Sequence, residues 1–309
     1  MAKRAVICAG QGAQDVGMGR DLADAFPTCK ALFDKANDVL GYDLAGICFD
    51  GPIEELTKSS HCQPAIFVMS VAAHEALTQR CPDFSVDAAA GLSLGEWTAL
   101  HLAGSLSFED TVRVLEARGR FMQEACELAD GAMLSVMGLE RDALESIASQ
   151  TGIQVANINS ASQIVLSGER AGVEAAEPLC SEAGARKTVM LNVAGAFHSE
   201  LMRPAADRLA EVLADTSFKA PSVPVVSNVT AEPHGDPDSI RDLMVKQVTS
   251  SVQWVDTIEW FTNNGVAGVV EVGPGKILSG LVKRIDRSVS LANVSDVASL
   301  DATVDALSN

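Results

Sequence analysis

The chain is organised around residues 89–97, Ala89-Ala90-Gly91-Leu92-Ser93-Leu94-Gly95-Glu96-Trp97. Their centre, Gly91 to Gly95, matches Gly-x-Ser-x-Gly, the pattern of a nucleophile elbow that exposes a serine hydroxyl on a sharp strand-to-helix turn. Glycines beside the serine allow the close backbone approach that such a turn needs. The pattern predicts a nucleophilic Ser93; the alternative is an ordinary Gly/Ser turn before a core helix.

The residues on either side of this turn predict the strand and the helix that an elbow requires. Residues 96–103 contain no Pro or Gly and are followed by Gly104, so we expect a helix that ends there. Residues 86–90 should then form the strand, although their alanines have little β propensity.

Length, composition and charge predict a soluble globular protein. The 309 residues can form one large domain, or a large domain with a smaller insert, and 47% of them are hydrophobic. The apolar runs are too short to span a bilayer, and the run after Met1–Arg4 ends at Gly10, which predicts a strand and not a signal peptide. A net charge of −18 argues against a nucleic-acid partner.

The cysteines predict a cytoplasmic protein with reduced thiols. They are odd in number, scattered, and never arranged as Cys-x-x-Cys, so we expect neither a metal site nor a disulfide framework. They are Cys8, Cys29, Cys48, Cys62, Cys81, Cys126 and Cys180.

Two glycine-rich segments follow apolar runs, but neither fits a nucleotide-binding motif. The loop at 10–14 follows a predicted strand at 5–9, and Asp15 stands where a dinucleotide fingerprint needs its third glycine. Gly275-Lys276 suggests a P-loop, but Val270 and Ile277 occupy the positions that require glycine and Ser/Thr.

Helices and strands alternate in the first and last parts of the chain. Ser107 is the expected N-cap of one helix, with Asp110 three residues later. The predicted helices are 21–37, 64–79, 108–128, 203–214, 240–248 and one after Gly275, and the later strands are 223–227 and 266–272.

The middle of the chain has a different order of elements. Strands are predicted at 133–137, 153–158, 163–167 and 188–193, and helices at 141–150 and 171–183. This β-α-β-β-α-β order is the ferredoxin-like unit. We therefore predict an α/β protein with a parallel sheet core, residues 1–127 and 199–309, and an inserted ferredoxin-like small domain, residues 128–198.

A serine nucleophile needs a base, usually a histidine. His198 follows the insert where the chain returns to the main domain, and clefts between domains are where sites form. His101 lies eight residues after Ser93 on the same helix, about 12 Å along its axis, and is out of reach. The other three are expected in a turn or cap, a packed helix and a solvated turn: His61, His74 and His234.

The acid of an ordinary triad is not evident, because no Asp or Glu between Ser93 and His198 stands out. Either a carbonyl or an amide orients the histidine, or the interpretation as a hydrolase is wrong.

Six segments occur in the order and at the spacing of one known family. Nearly end to end, the chain resembles the malonyl-CoA:acyl carrier protein transacylases. The segments are Gly10-Gln11-Gly12-Ala13-Gln14, Gly91-Leu92-Ser93-Leu94-Gly95-Glu96, Arg118-Gly119-Arg120-Phe121-Met122-Gln123, Gly195-Ala196-Phe197-His198-Ser199, Gln247 and Glu271-Val272-Gly273-Pro274-Gly275.

The resemblance implies a role for each matching residue. Ser93 would take the malonyl group as an ester, His198 would be the general base, and Gln247 would hold the histidine. The backbone N–H groups of Gln11 and Leu94 would form the oxyanion hole.

Two further positions bear on the substrate. Arg118 matches the arginine that binds the malonyl carboxylate, a contact that guanidinium makes with two parallel hydrogen bonds. Leu92 departs from the family, which commonly has histidine before the serine, so we expect a change in rate or pocket polarity.

The implied fold is a hydrolase-like α/β domain with a ferredoxin-like insert. The implied reaction moves malonyl from malonyl-CoA to acyl carrier protein for fatty-acid or polyketide synthesis, with no cofactor beyond the coenzyme A thioester, in a cytoplasmic monomer. Two alternatives stay open: a serine hydrolase or thioesterase of acyl-CoA, and a catalytically silent binding module.

An acidic protein needs a local positive surface to meet an acidic carrier. The spacing of basic residues after Gly275 predicts such a surface on one helix face, with two basic residues of the insert opposite; the alternative is a solvated basic helix end. This basic face consists of Lys276, Lys283, Arg284, Arg287, Arg186 and Lys187.

Overall fold

The structure, a computed structural model, describes residues 3–308. Met1, Ala2 and Asn309, which the predicted domain bounds include, lie outside the described residues. The strands are β1 (Lys3–Cys8), β2 (Ala88–Gly91), β3 (Gly131–Met137), β4 (Gln154–Ser160), β5 (Gln163–Glu169), β6 (Lys187–Met190), β7 (Val266–Val272) and β8 (Ser290–Val294). The helices are α1 (Arg20–Ala25), α2 (Pro27–Leu40), α3 (Leu44–Asp50), α4 (Ile53–Thr57), α5 (Ser59–Arg80), α6 (Leu94–Leu102), α7 (Phe108–Leu128), α8 (Arg141–Thr151), α9 (Arg170–Glu182), α10 (Arg203–Ala214), α11 (Pro237–Lys246), α12 (Trp254–Asn263), α13 (Ile277–Ile285) and α14 (Val297–Ser308).

The main sheet is parallel, with strand order β2-β1-β7-β8. Its central strands bury both faces, as parallel strands covered by helices do. On β1, Val6 joins one apolar cluster and Ile7 the other, and on β7 Val270 and Val269 divide in the same way. The core of the main domain therefore lies on both sides of β1 and β7.

The second sheet is antiparallel, with strand order β4-β5-β3-β6, and α8 and α9 cover one face. Two central strands from the first and third positions of the β-α-β-β-α-β run are the mark of the ferredoxin-like arrangement. The predicted fold class is confirmed, and the exact bounds of the insert, 128 and 198, stay a prediction.

Two backbone hydrogen bonds join the second sheet to a segment of the main domain. The Ile158 N–H on β4 donates to the Val252 carbonyl at 2.9 Å, and the Val252 N–H donates to the Ala156 carbonyl at 2.8 Å. Val252 lies just after a 3-10 turn at Gln247–Thr249. The edge of the second sheet therefore fixes a segment of the main domain.

Several predicted elements differ in extent. The helix expected over 21–37 is two helices, because Pro27 begins a new one and holds the preceding residue extended. The helix expected from residue 64 begins at Ser59, so His61 lies in its first turn and not before it. The helix expected over 240–248 is α11, which ends at Lys246.

The strand expected over 223–227 is wrong. The chain there makes isolated bridges and no regular strand: a parallel bridge between Val225 and Ala89 of β2, and an antiparallel bridge between Val226 and Pro233. Pro224 has no N–H to extend the ladder, and a tight turn that closes with the Ala231 N–H on the Ser227 carbonyl follows at once. The sequence analysis also missed β8, α3, α4, α12 and α14.

Among residues 3–308, no helix combines the length and the apolar character needed to cross a membrane. Each of the seven cysteines is a free thiol.

Candidate active site

The structure places Ser93 on the turn between β2 and α6, with φ 55° and ψ −105°. A positive φ is uncommon for a residue other than glycine and costs about 1–3 kcal/mol when it is strained. The glycines on either side are sterically required: a Cβ on Gly91 would lie 2.1 Å from the Gly95 carbonyl carbon, and one on Gly95 would lie 2.2 Å from the Cys8 carbonyl oxygen. The turn therefore depends on close contact with β1.

The Asn228 side chain stabilises this turn with two hydrogen bonds. Its Oδ1 accepts a hydrogen bond from the Ser93 N–H at 2.7 Å, and its Nδ2 donates to the Gly91 carbonyl at 2.8 Å. The side chain is fully buried. The sequence analysis missed it, because no local signal connects two segments 135 residues apart.

His198 lies beside the nucleophile. Its Nε2 is 2.8 Å from Ser93 Oγ, and its Nδ1 lies 2.9 Å from the Gln247 carbonyl and 3.1 Å from the Ser250 carbonyl. Both carbonyls only accept hydrogen bonds, so this network assigns the proton to Nδ1 and leaves the lone pair of Nε2 to accept the Ser93 hydroxyl proton. Two carbonyls therefore orient the histidine in place of an acid.

The surroundings of His198 keep it neutral. Burial, together with the positive charge of Arg118, lowers the pKa of His198 from 6.5 to about 4. An imidazole that is neutral at physiological pH can accept a proton, so the ring is in the form that a general base requires.

Arg118 lies on α7 and is 1% exposed. Its Nη2 donates to Ser93 Oγ and to Gln247 Oε1, both at 3.0 Å, and its Nη1 donates to Gln63 Oε1 at 2.7 Å. The next residue is a glycine whose Cβ would lie 2.1 Å from the Ser59 carbonyl oxygen, so α7 approaches α5 closely at this point. Burial lowers the pKa of Arg118 to about 10, which leaves the guanidinium charged.

Gln247 contacts the histidine through its backbone only. Its side chain points elsewhere: Oε1 accepts from Arg118, and Nε2 donates to the Ser93 carbonyl at 2.9 Å and to Glu96 Oε2 at 2.5 Å. The role implied by the resemblance therefore belongs to the carbonyl oxygen, and the amide has a different set of partners.

The two N–H groups expected in the oxyanion hole have no acceptor in the described part of the chain. Leu94 begins α6, and Gln11 follows β1. A Cβ on Gly10 would lie 2.6 Å from the Leu92 carbonyl oxygen, so the Gln11 loop packs directly against the elbow. Donors placed in this way are available to a developing oxyanion.

Leu92 lines a cleft together with Gly10, Gln11, Ile277 and Leu278. Its side chain contributes an apolar wall where a histidine would contribute a polar one. The expected change in rate or pocket polarity stays a prediction.

The remaining histidines lie away from Ser93. His101 Nδ1 is 3.0 Å from the Leu106 carbonyl, His61 Nδ1 is 3.0 Å from the Glu55 carbonyl, and His74 lies near Phe84. The expectation for His234 is wrong: it is buried, and its Nε2 lies 2.7 Å from Glu96 Oε1. The turn that contains His234 packs against the start of α6 and is not solvated as expected.

Known proteins resemble this chain over nearly its whole length. The family model described as "Acyl transferase domain" matches residues 6–302. The malonyl CoA-acyl carrier protein transacylase of Bacillus subtilis is 40% identical over 99% of this chain and 98% of its own length. The Escherichia coli K12 protein of the same name is 40% identical over 99% of this chain and 100% of its own.

The chain belongs to the malonyl CoA-acyl carrier protein transacylase family.

Solved structures of this transacylase family have the same fold. A Vibrio cholerae acyl carrier protein S-malonyltransferase has a TM-score of 0.94 and 40% identity, covering 98% of this chain and 100% of its own. A malonyl-transacylase in complex with a type II PKS acyl-carrier protein has a TM-score of 0.95 and 39% identity, covering 99% of this chain and 100% of its own.

Within residues 3–308, no group of three or more His, Cys, Asp or Glu side chains could hold a metal ion.

The environment of His198 predicts that activity persists at acidic pH. We expect the rate of Ser93 labelling by a fluorophosphonate to stay constant from about pH 8 to pH 5 and to fall toward pH 4, because only the neutral ring accepts the serine proton. If His198 had the pKa of an unperturbed histidine, the labelling rate would fall near pH 6.5. The fold is followed by circular dichroism at each pH, and a labelling midpoint between pH 6 and 7 would contradict the prediction.

Proposed function

We propose that this protein transfers a malonyl group from malonyl-CoA to the phosphopantetheine thiol of an acyl carrier protein through an ester on Ser93. One observation carries the proposal: Ser93 Oγ lies 2.8 Å from His198 Nε2 and 3.0 Å from Arg118 Nη2. A nucleophile, its base and a cation for the substrate carboxylate therefore meet at one oxygen atom.

In the first half-reaction, Ser93 Oγ attacks the thioester carbonyl as its proton moves to His198 Nε2. The carbonyl oxygen becomes an oxyanion and accepts hydrogen bonds from the N–H groups of Gln11 and Leu94. The carbon–sulfur bond then breaks, and the coenzyme A sulfur leaves with the proton from His198. The products are the malonyl-serine ester and free coenzyme A, and the histidine is neutral again.

The second half-reaction reverses these steps with a different thiol. The phosphopantetheine thiol gives its proton to His198 and attacks the ester carbonyl. When the carbon–oxygen bond breaks, Ser93 Oγ recovers the proton from His198 Nε2. Over the two half-reactions one thioester is consumed and one is formed, with an oxygen ester between them, so the overall transfer needs no cofactor.

Arg118 accounts for the choice of acyl group. The malonyl carboxylate is one methylene from the reacting carbonyl, and Arg118 Nη2 contacts the attacking oxygen itself. A carboxylate at this distance can accept charge-assisted hydrogen bonds from the guanidinium. An acetyl group leaves the buried cation without that partner, which costs binding energy.

A hydrolase or thioesterase is the alternative with the same nucleophile and base. The names of the relatives favour transfer, and so does a buried cation next to a serine that is only 9% exposed. Burst kinetics with and without a thiol acceptor separates the two: a transferase holds the ester until a thiol arrives, whereas a hydrolase turns over in water.

The setting of the reaction is part of the proposal. We infer a cytoplasmic monomer that feeds fatty-acid or polyketide synthesis, without a membrane or nucleic-acid partner. The free thiols of all seven cysteines support a reducing compartment.

The first prediction concerns the covalent intermediate. Incubation with malonyl-CoA should increase the protein mass by one malonyl group, located on Ser93 by peptide mapping, and Ser93→Ala should abolish the increase. Ser70→Ala is the matched control, since Ser70 is a fully buried serine that makes no hydrogen bond. An adduct on a cysteine, or one that persists in Ser93→Ala, would exclude the mechanism.

The second prediction concerns selectivity. Arg118→Met should lower the malonyl-to-acetyl ratio of kcat/KM by about 10²-fold or more, the scale of breaking a buried charge pair. Arg120→Met is the control on the same helix, since Arg120 is exposed and pairs with Glu116. An unchanged ratio would remove Arg118 from the acyl site.

Parts of the predicted basic face from α13 and from the second sheet lie near each other, although one predicted detail is wrong. Arg287 lies beyond the end of α13 at Ile285, so it does not stack on the helix with Lys283. Arg284 Nη1 donates to Gln163 Oε1 at 3.3 Å, which joins α13 to the second sheet. Gln163 and Lys187 pair with the same residue of β3 from either side, so they are about 10 Å apart.

The third prediction tests this surface. Reversing the charge of Lys283 and Arg287 to Glu should raise KM for the carrier protein, because exposed charges steer association. The rate of transfer to the carrier protein should also become less sensitive to salt. Loading of Ser93 from malonyl-CoA should be unchanged. Reversal of Lys30 and Lys35 on α2 gives the same change in net charge outside the basic face. Equal losses with the carrier and a small thiol would show that the carrier docks elsewhere.

A further inference from the structure

The buried charge of Arg118 has no direct counter-charge. Its three hydrogen-bond acceptors are neutral, namely the amide oxygens of Gln63 and Gln247 and the hydroxyl of Ser93. Among residues 3–308, Arg118 forms no ion pair, and its Nε has no partner. An isolated buried guanidinium is costly, so another group must compensate for its charge.

Glu96 is the carboxylate that meets this need. It lies on the first turn of α6, three residues after Ser93, and it is completely buried. Its Oε1 accepts from His234 Nε2 at 2.7 Å, and its Oε2 accepts from the Asn228 N–H at 3.2 Å and from Gln247 Nε2 at 2.5 Å. These donors from separate parts of the chain hold the carboxylate in one position.

The amide of Gln247 connects the two charges. Its Oε1 faces the guanidinium of Arg118, and its Nε2 faces the carboxylate of Glu96. The amide dipole therefore lies between cation and anion in the favourable direction. The negative charge of Glu96 raises the pKa of Arg118 and opposes the effect of burial.

The same amide also fixes a peptide group of the oxyanion hole. Gln247 Nε2 donates to the Ser93 carbonyl, which belongs to the peptide whose N–H is that of Leu94. In a trans peptide the C=O and N–H point in opposite directions, so a hydrogen bond that holds the carbonyl also fixes the direction of the N–H. A donor on the carbonyl polarises the peptide as well and strengthens its N–H as a donor.

We propose that Glu96 is a positioning residue that acts through the Gln247 side chain on both the Leu94 N–H and the Arg118 guanidinium. It touches neither Ser93 Oγ nor the base. Because an amide separates it from Arg118, it stabilises the cation and leaves guanidinium N–H groups for a substrate carboxylate. A direct Glu–Arg pair would occupy those groups.

This inference rests on the proposed function and leads to different results for two variants. Glu96→Gln keeps an oxygen that accepts from Gln247 Nε2, and its NH₂ can donate to the other tautomer of His234, so it removes only the charge. Glu96→Ala removes the acceptor as well. Comparison of the two variants therefore distinguishes two effects of Glu96, its hydrogen bond that orients the Gln247 amide and its negative charge near Arg118.

The experiment measures kcat and KM for malonyl-CoA and acetyl-CoA, with active sites counted by the stoichiometry of acyl loading. Glu96→Ala should lower kcat per active site for both substrates by up to about 10²–10³-fold, the loss seen when an oxyanion-hole donor is removed outright. Glu96→Gln should keep most of kcat and raise the malonyl-to-acetyl ratio of kcat/KM several-fold, because an anion near the substrate carboxylate has been removed.

Thr98→Val on the same helix is the control for disturbed packing of α6, since Thr98 is buried and its hydroxyl has no partner. A purely structural role would lower the melting temperature and the number of active sites and leave kcat per site unchanged, and that result would overturn the inference. So would an equal loss of kcat in Glu96→Gln and Glu96→Ala. If the wild-type protein forms no malonyl ester, the proposed function fails first.

Discussion

The site depends on one steric constraint, the approach of the α6 backbone to strand β1. There is no space for a side chain at Gly95, because a Cβ would meet the Cys8 carbonyl oxygen at 2.2 Å. This contact brings the start of α6 beside the loop that follows β1, so that the N–H groups of Leu94 and Gln11 come from adjoining elements. It also forces Ser93 into a positive φ, and the hydrogen bonds of Asn228 offset that strain.

The orientation of His198 by two carbonyls has an electrostatic consequence. A carboxylate partner would favour the protonated ring and raise its pKa. The carbonyls of Gln247 and Ser250 select the tautomer without adding a full charge, and the positive charge of Arg118 disfavours protonation further. Under the proposed function one buried cation therefore serves two purposes: it binds an anionic acyl group, and it adds to the effect of burial in lowering the pKa of His198.

The sequence predicted what is local. The elbow, the helix with its Ser107 cap and the β-α-β-β-α-β run each depend on neighbouring residues, and the structure contains all three. The sequence could not predict contacts between distant segments. Asn228 and His234 belong to the turn that follows residues 223–227, and they contact Ser93 and Glu96 only because that turn packs against the elbow. Of the two partners of His198, the family resemblance named Gln247, whereas Ser250 was missed, because every residue carries a carbonyl and side-chain chemistry does not indicate which one is used.

The hydrogen bonds between Val252 and strand β4 connect the second sheet with the residues that hold His198. Val252 follows Gln247 and Ser250 within five residues, and those two residues hold the imidazole. Any displacement of strand β4 relative to the main domain would act on this short segment, and through it on both carbonyls that hold the ring. The geometry of the base therefore depends on a contact with the second sheet as well as on the elbow, although Ser93 and His198 both lie outside that sheet.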